Sequence, residues 1–102
     1  MITVTIHRSN DSYAGFKVVG HAGYAEEGYD IICAAVSVLV VNAVNSIETF
    51  TDDKFAARED HGIVELILEG SVSDKTTLLL DSMILGLRDI QTQYGNEFIR
   101  LK

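Results

Sequence analysis

The sequence predicts an α+β fold in which two helices pack on a mostly antiparallel sheet, within one domain that spans residues 1–102. Three observations predict this class. Several short segments alternate apolar and polar residues, which is typical of half-buried strands. Two longer segments repeat apolar residues at helical spacing. A chain of 102 residues that is 47% apolar and 23% charged suits a single core. The expected order is strand-strand-helix-strand-strand-helix-strand.

The first two strands are predicted near the N-terminus. Ile2, Val4 and Ile6 share one face of an extended segment, while the residues between them, Thr3, Thr5 and His7, share the other. Residues 10–12, Asn-Asp-Ser, are typical of a turn. A second strand is expected from Ala14 to Gly20. Residues 21–29 follow neither period, and their glycines favour a mobile loop.

A first helix is predicted from Asp30 to about Phe50, with Asp30 as its N-cap. Apolar side chains occupy nearly its whole circumference, so it needs cover on several sides. Because a domain of this size has little material for such cover, we expect a second copy of the chain to supply part of it. Its densest apolar stretch, Ile31 to Val44, is shorter than the roughly 20 residues that span a bilayer, so no membrane partner is expected.

The sequence of the second half of the chain predicts a β-hairpin, then a helix, then a last strand. Phe55–Glu59 and Ile63–Glu69 flank a turn at residues 60–62, and Val64, Leu66 and Leu68 form the inward face. Ser73 or Asp74 caps a second helix that ends before Gly95. Its apolar positions recur at helical spacing: Leu79, Met83, Leu87, Ile90 and Tyr94. Residues 96–102 are expected to form the last strand, with Phe98 opposite Ile99 and Leu101.

The charge balance narrows the classes of partner. Eight basic and fifteen acidic residues leave a net charge of −7, and an acidic surface repels phosphate backbones. A direct nucleic-acid partner is therefore not expected, whereas a basic peptide or protein is. The N-terminus lacks the basic start and apolar stretch of a signal peptide. The lone cysteine excludes an intrachain disulfide and fits a reducing compartment.

Cys33 is the candidate nucleophile. With Asp30 as cap it is the third residue of the first helix, where free N–H groups and the helix dipole favour a thiolate over a thiol of ordinary pKa about 8.5. The alternative is a buried structural cysteine among apolar neighbours, and the residues alone favour that alternative.

His21 is the candidate acid and base. It follows the second strand by one residue and precedes Cys33 by twelve, a spacing that permits imidazole and thiol to meet but does not require it. A surface or hydrogen-bonded histidine is the alternative. His7 and His61 are weaker candidates, because one lies on the solvent face of a strand and the other in a turn.

Two further side chains are candidate supporting residues. Asp30 either caps the helix or orients the ring of His21. Ser37 lies one turn after Cys33, where its hydroxyl can bond the sulfur, a substrate group or the carbonyl four residues back. The set His21, Asp30 and Cys33 lacks the paired spacing of zinc sites, so neither a metal nor a cofactor is expected.

The stretch Gly20-His21-Ala22, followed by residues 30–37 with the sequence DIICAAVS, resembles the ribosomal-processing cysteine protease family. The resemblance extends over the whole chain, to the closing residues 97–101. It implies that His21 and Cys33 are the catalytic pair, with Gly20, Asp30 and Ser37 in support. It also implies a loop that covers the thiol and binds substrate, for which the expected residues are Ala22, Gly23, Tyr24, Gly28 and Tyr29.

The resemblance further implies a cytoplasmic bacterial homodimer that removes an N-terminal extension from a large-subunit ribosomal protein during ribosome assembly. The precursor of that protein would be the substrate. A second interpretation is a non-catalytic dimeric interaction module in ribosome biogenesis, whose apolar helix builds an interface.

Overall fold

The computed structural model describes residues 1–20, 29–60 and 62–102. They form the predicted sequence of elements: β1 (Ile2–Ser9), β2 (Ser12–Val19), α1 (Tyr29–Phe50), β3 (Lys54–Asp60), β4 (Ile63–Glu69), α2 (Asp74–Tyr94) and β5 (Ile99–Leu101). The α+β class and the order of elements are therefore confirmed.

The five strands form one sheet in the order β3-β4-β2-β1-β5. Three neighbouring pairs are antiparallel, and only β5 runs parallel to β1. The two-residue connection from Asp60 to Ile63 makes β3 and β4 the predicted hairpin, and Gly62 has the positive φ, +71°, that such tight turns use. The sheet is mostly antiparallel, as expected.

The alternation of the strands places the core on one face of the sheet. Val4, Phe16 and Leu66 are fully buried there, whereas Thr3, Thr5 and His7 are only half-buried on the other face. Both helices contribute to the same core. Their buried side chains include Ile32, Val36, Val40 and Ile47 of α1 and Leu80, Met83, Leu87 and Ile90 of α2. The predicted inward face of β4 is confirmed, with Val64 and Leu68 partly buried around Leu66.

Several boundaries differ from the predicted ones. β2 begins at Ser12 rather than Ala14, because pairing with β1 continues to Ser9 across an irregularity between His7 and Arg8. β5 is limited to three residues, and Phe98 belongs to the preceding turn.

The second helix follows its predicted capping. Ser73 accepts a hydrogen bond from the N–H of Thr76 at 3.2 Å, and the N–H of Gly95 donates to the carbonyl of Gln91 at 2.8 Å. Its buried stripe also takes in Leu80 and Ile84, while Tyr94 in the last turn is 46% exposed.

The first helix begins one residue earlier than predicted, at Tyr29. Asp30 therefore lies inside the first turn, and its assignment as the N-cap is wrong, because the cap precedes the first helical residue. The prediction that the apolar stretch is too short for a membrane span is also wrong: Ile31–Phe50 is long and apolar enough by length and composition. In this fold the buried side of α1, from Ile32 to Ile47, packs into the core, which accounts for much of its apolar character.

Candidate active site

Cys33 is buried near the start of α1. It is the fifth helical residue rather than the third, because the helix begins at Tyr29, and its side chain is 7% exposed. Side chains on a helix lean toward its N-terminus and cover the preceding turn. Cys33 therefore lies about one turn from the helix N-terminus, where the N–H groups without helical partners and the positive end of the dipole lie.

The thiol lines a small cavity, which we call the thiol cavity. Its volume is about 20 Å³, enough for one water-sized group. Its wall includes Val36 and Ser37 of α1. Its other lining residues come from the sheet and the hairpin turn and from further along α1: Ile2, Val18, Val40, Gly62 and Val64. The buried cysteine thus faces a space rather than a close-packed interior.

Ser37 shares the thiol cavity with Cys33, as its position one helical turn later predicts. Its side chain is half-buried. The choice among the three partners of its hydroxyl, which are the sulfur, a substrate group and the carbonyl four residues back, stays a prediction.

Gly20 is held at the edge of the same cavity. Its N–H donates to the carbonyl of Gly62 at 3.2 Å, and Gly62 lines the thiol cavity. Gly20 has φ of +101°, and a Cβ atom there would lie 2.1 Å from the carbonyl oxygen of Met1. Only glycine fits this conformation and this close approach. The end of β2 is therefore fixed beside the cavity, at the residue that precedes His21.

The remaining predicted site residues are not tested by the geometry. His21, Ala22, Gly23, Tyr24 and Gly28 lie outside the described residues, as does His61. Tyr29 and Asp30 are the first two residues of α1, and the roles expected of their side chains stay predictions. Among the residues that the structure describes, no group of three His, Cys, Asp or Glu side chains is arranged to hold a metal ion.

The sequence did not identify the walls of the cavity. Ile2 and Val64 are predicted on the apolar faces of strands, but nothing in their spacing connects them, or Val18, to Cys33. Gly62 was expected only as a turn residue. The antiparallel pairing of β2 with β4 brings these distant segments together.

The comparison with protein families matches residues 1–99 to the model of the cysteine protease Prp family. The ribosomal processing cysteine protease Prp of Bacillus subtilis (strain 168) is 34% identical over 101 residues, which cover 92% of this chain and 90% of that protein. The protein of the same name from Staphylococcus aureus (strain Mu50) is 32% identical over 104 residues, covering 99% and 97% of the two chains.

Two solved structures of the essential ribosomal processing protease Prp from S. aureus resemble this chain over its whole length. The complex with a substrate peptide has a TM-score of 0.91 at 30% identity and covers 100% of this chain and 98% of that one. The complex with a covalently linked product peptide has a TM-score of 0.88 at 31% identity, with the same coverage. The likeness thus includes both the sequence and the complete fold.

Proposed function

This chain belongs to the cysteine protease Prp family, and from that premise we propose that it is an endopeptidase that removes the N-terminal extension of a large-subunit ribosomal protein. The non-catalytic module is disfavoured, because the relatives are proteases and one of them has been solved with a covalently linked product peptide. The precursor of the ribosomal protein is the proposed substrate, and the cytoplasm, where ribosomes assemble, is the proposed location.

One observation carries the assignment of the nucleophile. The chain has a single cysteine, and that cysteine lines a cavity near the N-terminus of a helix. A cysteine protease requires a sulfur nucleophile beside a space that a reacting group can enter, and the thiol cavity provides that space. We therefore assign Cys33 as the nucleophile.

The proposed reaction has two stages. His21 takes the proton of the Cys33 thiol, and the sulfur attacks the scissile carbonyl carbon, forming a C–S bond and an oxyanion. His21 then gives its proton to the amine as the C–N bond breaks, which leaves a thioester. Water, deprotonated by His21, attacks the thioester, the C–S bond breaks, and the carboxylate product and the thiol are released.

The residues around the pair have supporting roles in this proposal. N–H groups in the first turn of α1, which have no partner within the helix, are suited to bind the oxyanion. Ser37 contacts the sulfur or the substrate from one turn further along. Gly20, fixed by its bond to Gly62, positions the residue after it, His21. Asp30 orients His21, and residues 22–24, 28 and 29 contact the substrate.

We also propose that the protein is a homodimer in solution. Ile31 and Val38 of α1 are 65% and 67% exposed, and Leu78 and Leu85 of α2 are 69% and 64% exposed. Each pair is separated by seven residues, so both members lie on the same side of their helix. Exposed large apolar residues that recur on one side of a helix are typical of protein interfaces.

The assignment of the catalytic pair is tested by incubating the enzyme with the precursor of the ribosomal protein and measuring the mass of the product. Cys33→Ala and His21→Ala are each expected to lower the rate at least about 1,000-fold, because nucleophile and base act as a unit. His7→Ala is the matched control, since His7 lies on the other face of the sheet, and it is expected to keep the rate. Undiminished cleavage by either catalytic variant would refute the role assigned to that residue.

A further inference from the structure

A second cavity lies along the same side of α1, further from its N-terminus, and we call it the distal cavity. Its lining residues come from α1, from β3 and from β4: Val41, Val44, Asn45, Ala57, Arg58, Glu59 and Val64. Its volume is about 150 Å³, which is sufficient for a benzene-sized group and far exceeds the 20 Å³ of the thiol cavity.

The two cavities adjoin each other, and we treat them as one groove. Val64 lines both of them. On α1 the lining passes from Cys33 and Ser37 to Val41 and Val44, at steps of three or four residues, which keep to one side of a helix. The groove therefore has α1 as one wall and the β3–β4 hairpin as the other, with the thiol at one end.

The outer wall of the groove is exposed in the part of the chain that the structure describes. β3 is the outermost strand of the sheet and pairs only with β4. Ala57 and Glu59, which line the distal cavity from this strand, are both exposed, and so is Asn45 across from them. The distal cavity thus combines an apolar interior with a polar and accessible rim.

Distance along α1 relates the distal cavity to the scissile bond. Val41 and Val44 follow Cys33 by eight and eleven residues, or about 12 and 17 Å at 1.5 Å per helical residue. An extended peptide covers about 3.3 Å per residue. A peptide attached to the sulfur and lying in the groove therefore reaches the distal cavity after four or five residues.

We propose that the distal cavity is a specificity site, which binds an apolar side chain of the substrate peptide four or five residues from the scissile bond. This inference rests on the proposed peptidase function and adds to it a preference for long substrates. Glu59 lines the distal cavity and pairs in register with Val64. Arg58 also lines the cavity, but its guanidinium is paired with the carboxylate of Glu65 at 3.4 Å, so Glu59 leaves a net negative charge beside the cavity. An acidic residue in that part of the peptide is disfavoured by repulsion.

The test compares Ala57→Trp, which fills the distal cavity, with Ala56→Trp on the opposite face of the same strand. The probes are a long peptide with eight precursor residues on each side of the scissile bond and a short one with three. We expect Ala57→Trp to lower kcat/KM for the long peptide at least about 10-fold, mainly through KM, and to leave the short peptide unchanged. Ala56→Trp is expected to leave both unchanged, and circular dichroism verifies folding.

The outcomes separate this inference from the proposed function. If the native enzyme cleaves neither peptide nor the precursor, the proposed function fails. If the native enzyme cleaves the long and short peptides equally well, or if the two tryptophan variants behave alike, the peptidase stands and the distal site is refuted. A change of molecular mass in Ala57→Trp with unchanged cleavage would also refute it, by making the cavity a contact between copies of the chain.

A charge reversal provides a second variant that does not depend on filling the cavity. Glu59→Lys is expected to raise kcat/KM at least about threefold for a long peptide that carries glutamate four or five residues from the scissile bond. The same variant is expected to act equally with the native enzyme on the short peptide. No change with the glutamate peptide would contradict the proposed path along the groove.

Discussion

Asp53 connects the end of α1 to the start of α2. Its carboxylate accepts hydrogen bonds from the N–H and the hydroxyl of Ser73, at 2.9 and 2.8 Å. Ser73 in turn caps α2 through the N–H of Thr76. Hydrogen bonds from Thr76 and then from Ser73 hold the pKa of Asp53 below its ordinary value of 3.8. One carboxylate thus stabilises both the loop before β3 and the cap of the second helix.

Replacing this carboxylate is expected to destabilise the protein in a pH-dependent way. Asp53→Asn should lower the free energy of unfolding at pH 7 by about 1 kcal/mol, a modest value because the site is near solvent. Because the pKa of Asp53 is lower in the folded protein than in the unfolded chain, the ionised carboxylate stabilises the fold at pH values above the ordinary pKa. This stabilisation disappears as the pH falls through the pKa of the folded protein. The difference in free energy of unfolding between the native protein and Asp53→Asn, measured by urea unfolding, should therefore have its full value at pH 7 and decrease below pH 3.8.

Asp52→Asn is the control for this measurement, because Asp52 is the exposed neighbour of Asp53. It is expected to change the urea midpoint little. A loss of stability in Asp53→Asn that stays constant down to pH 2 would show that the hydrogen bonds do not depend on the charge.

At the scale of elements, the pairing of β2 with β4 brings the cavity walls together. Gly15 sits opposite Ile67 in this pairing, with φ of +146°. A Cβ atom at Gly15 would lie 2.0 Å from the carbonyl oxygen of Leu66, well inside van der Waals contact. The two strands can approach to pairing distance only because this position has no side chain.

Gly15→Ala is accordingly expected to destabilise the protein by about 3 kcal/mol or more, since the strained backbone and the steric contact both oppose pairing. Gly70→Ala is the matched control, because Gly70 also has positive φ, +73°, but nothing lies within 4 Å of the added Cβ. Gly70→Ala is expected to lower the free energy of unfolding by about 1 kcal/mol. Equal losses for the two variants in urea unfolding would mean that the β2–β4 approach tolerates a methyl group.

At the scale of the whole molecule, the packing of α1 against α2 places the exposed residues Val38 and Leu85 at the same level. Gly86 of α2 faces Leu39 of α1, where an added Cβ would lie 2.9 Å from a Leu39 methyl group. Val38 and Leu85 are the chain neighbours of these two residues, so they occupy the same level of the two helices. This level is where we expect the second copy to bind.

Val38→Asp and Leu85→Asp are therefore expected to convert the proposed dimer to a monomer of 11.2 kDa, because a desolvated carboxylate opposes an apolar interface. Chromatography with light scattering measures the mass. Ala56→Asp, at an exposed position of β3, should leave the dimer intact. A native protein that is monomeric at micromolar concentration would contradict the proposal at once.

The linear pattern of the sequence predicted the elements because their signals are local. Alternation in residues 2–6 and 63–69, the helical spacing in α2, and the capping residues Ser73 and Gly95 all act within a few positions of the chain. The start of α1 was missed by one residue, because Asp30 is a good cap residue and equally acceptable within a first turn, where the dipole favours its charge.

The sequence by itself determined the class of fold, the order of its elements and the one residue that can act as a thiol nucleophile, since each depends on residue type and local spacing. Only the tertiary structure decided that Cys33 faces a cavity, that Gly62 and Val64 help to form it, and that a second cavity lies between α1 and β3. These features depend on strand order and register, which arise from contacts between segments far apart in the chain.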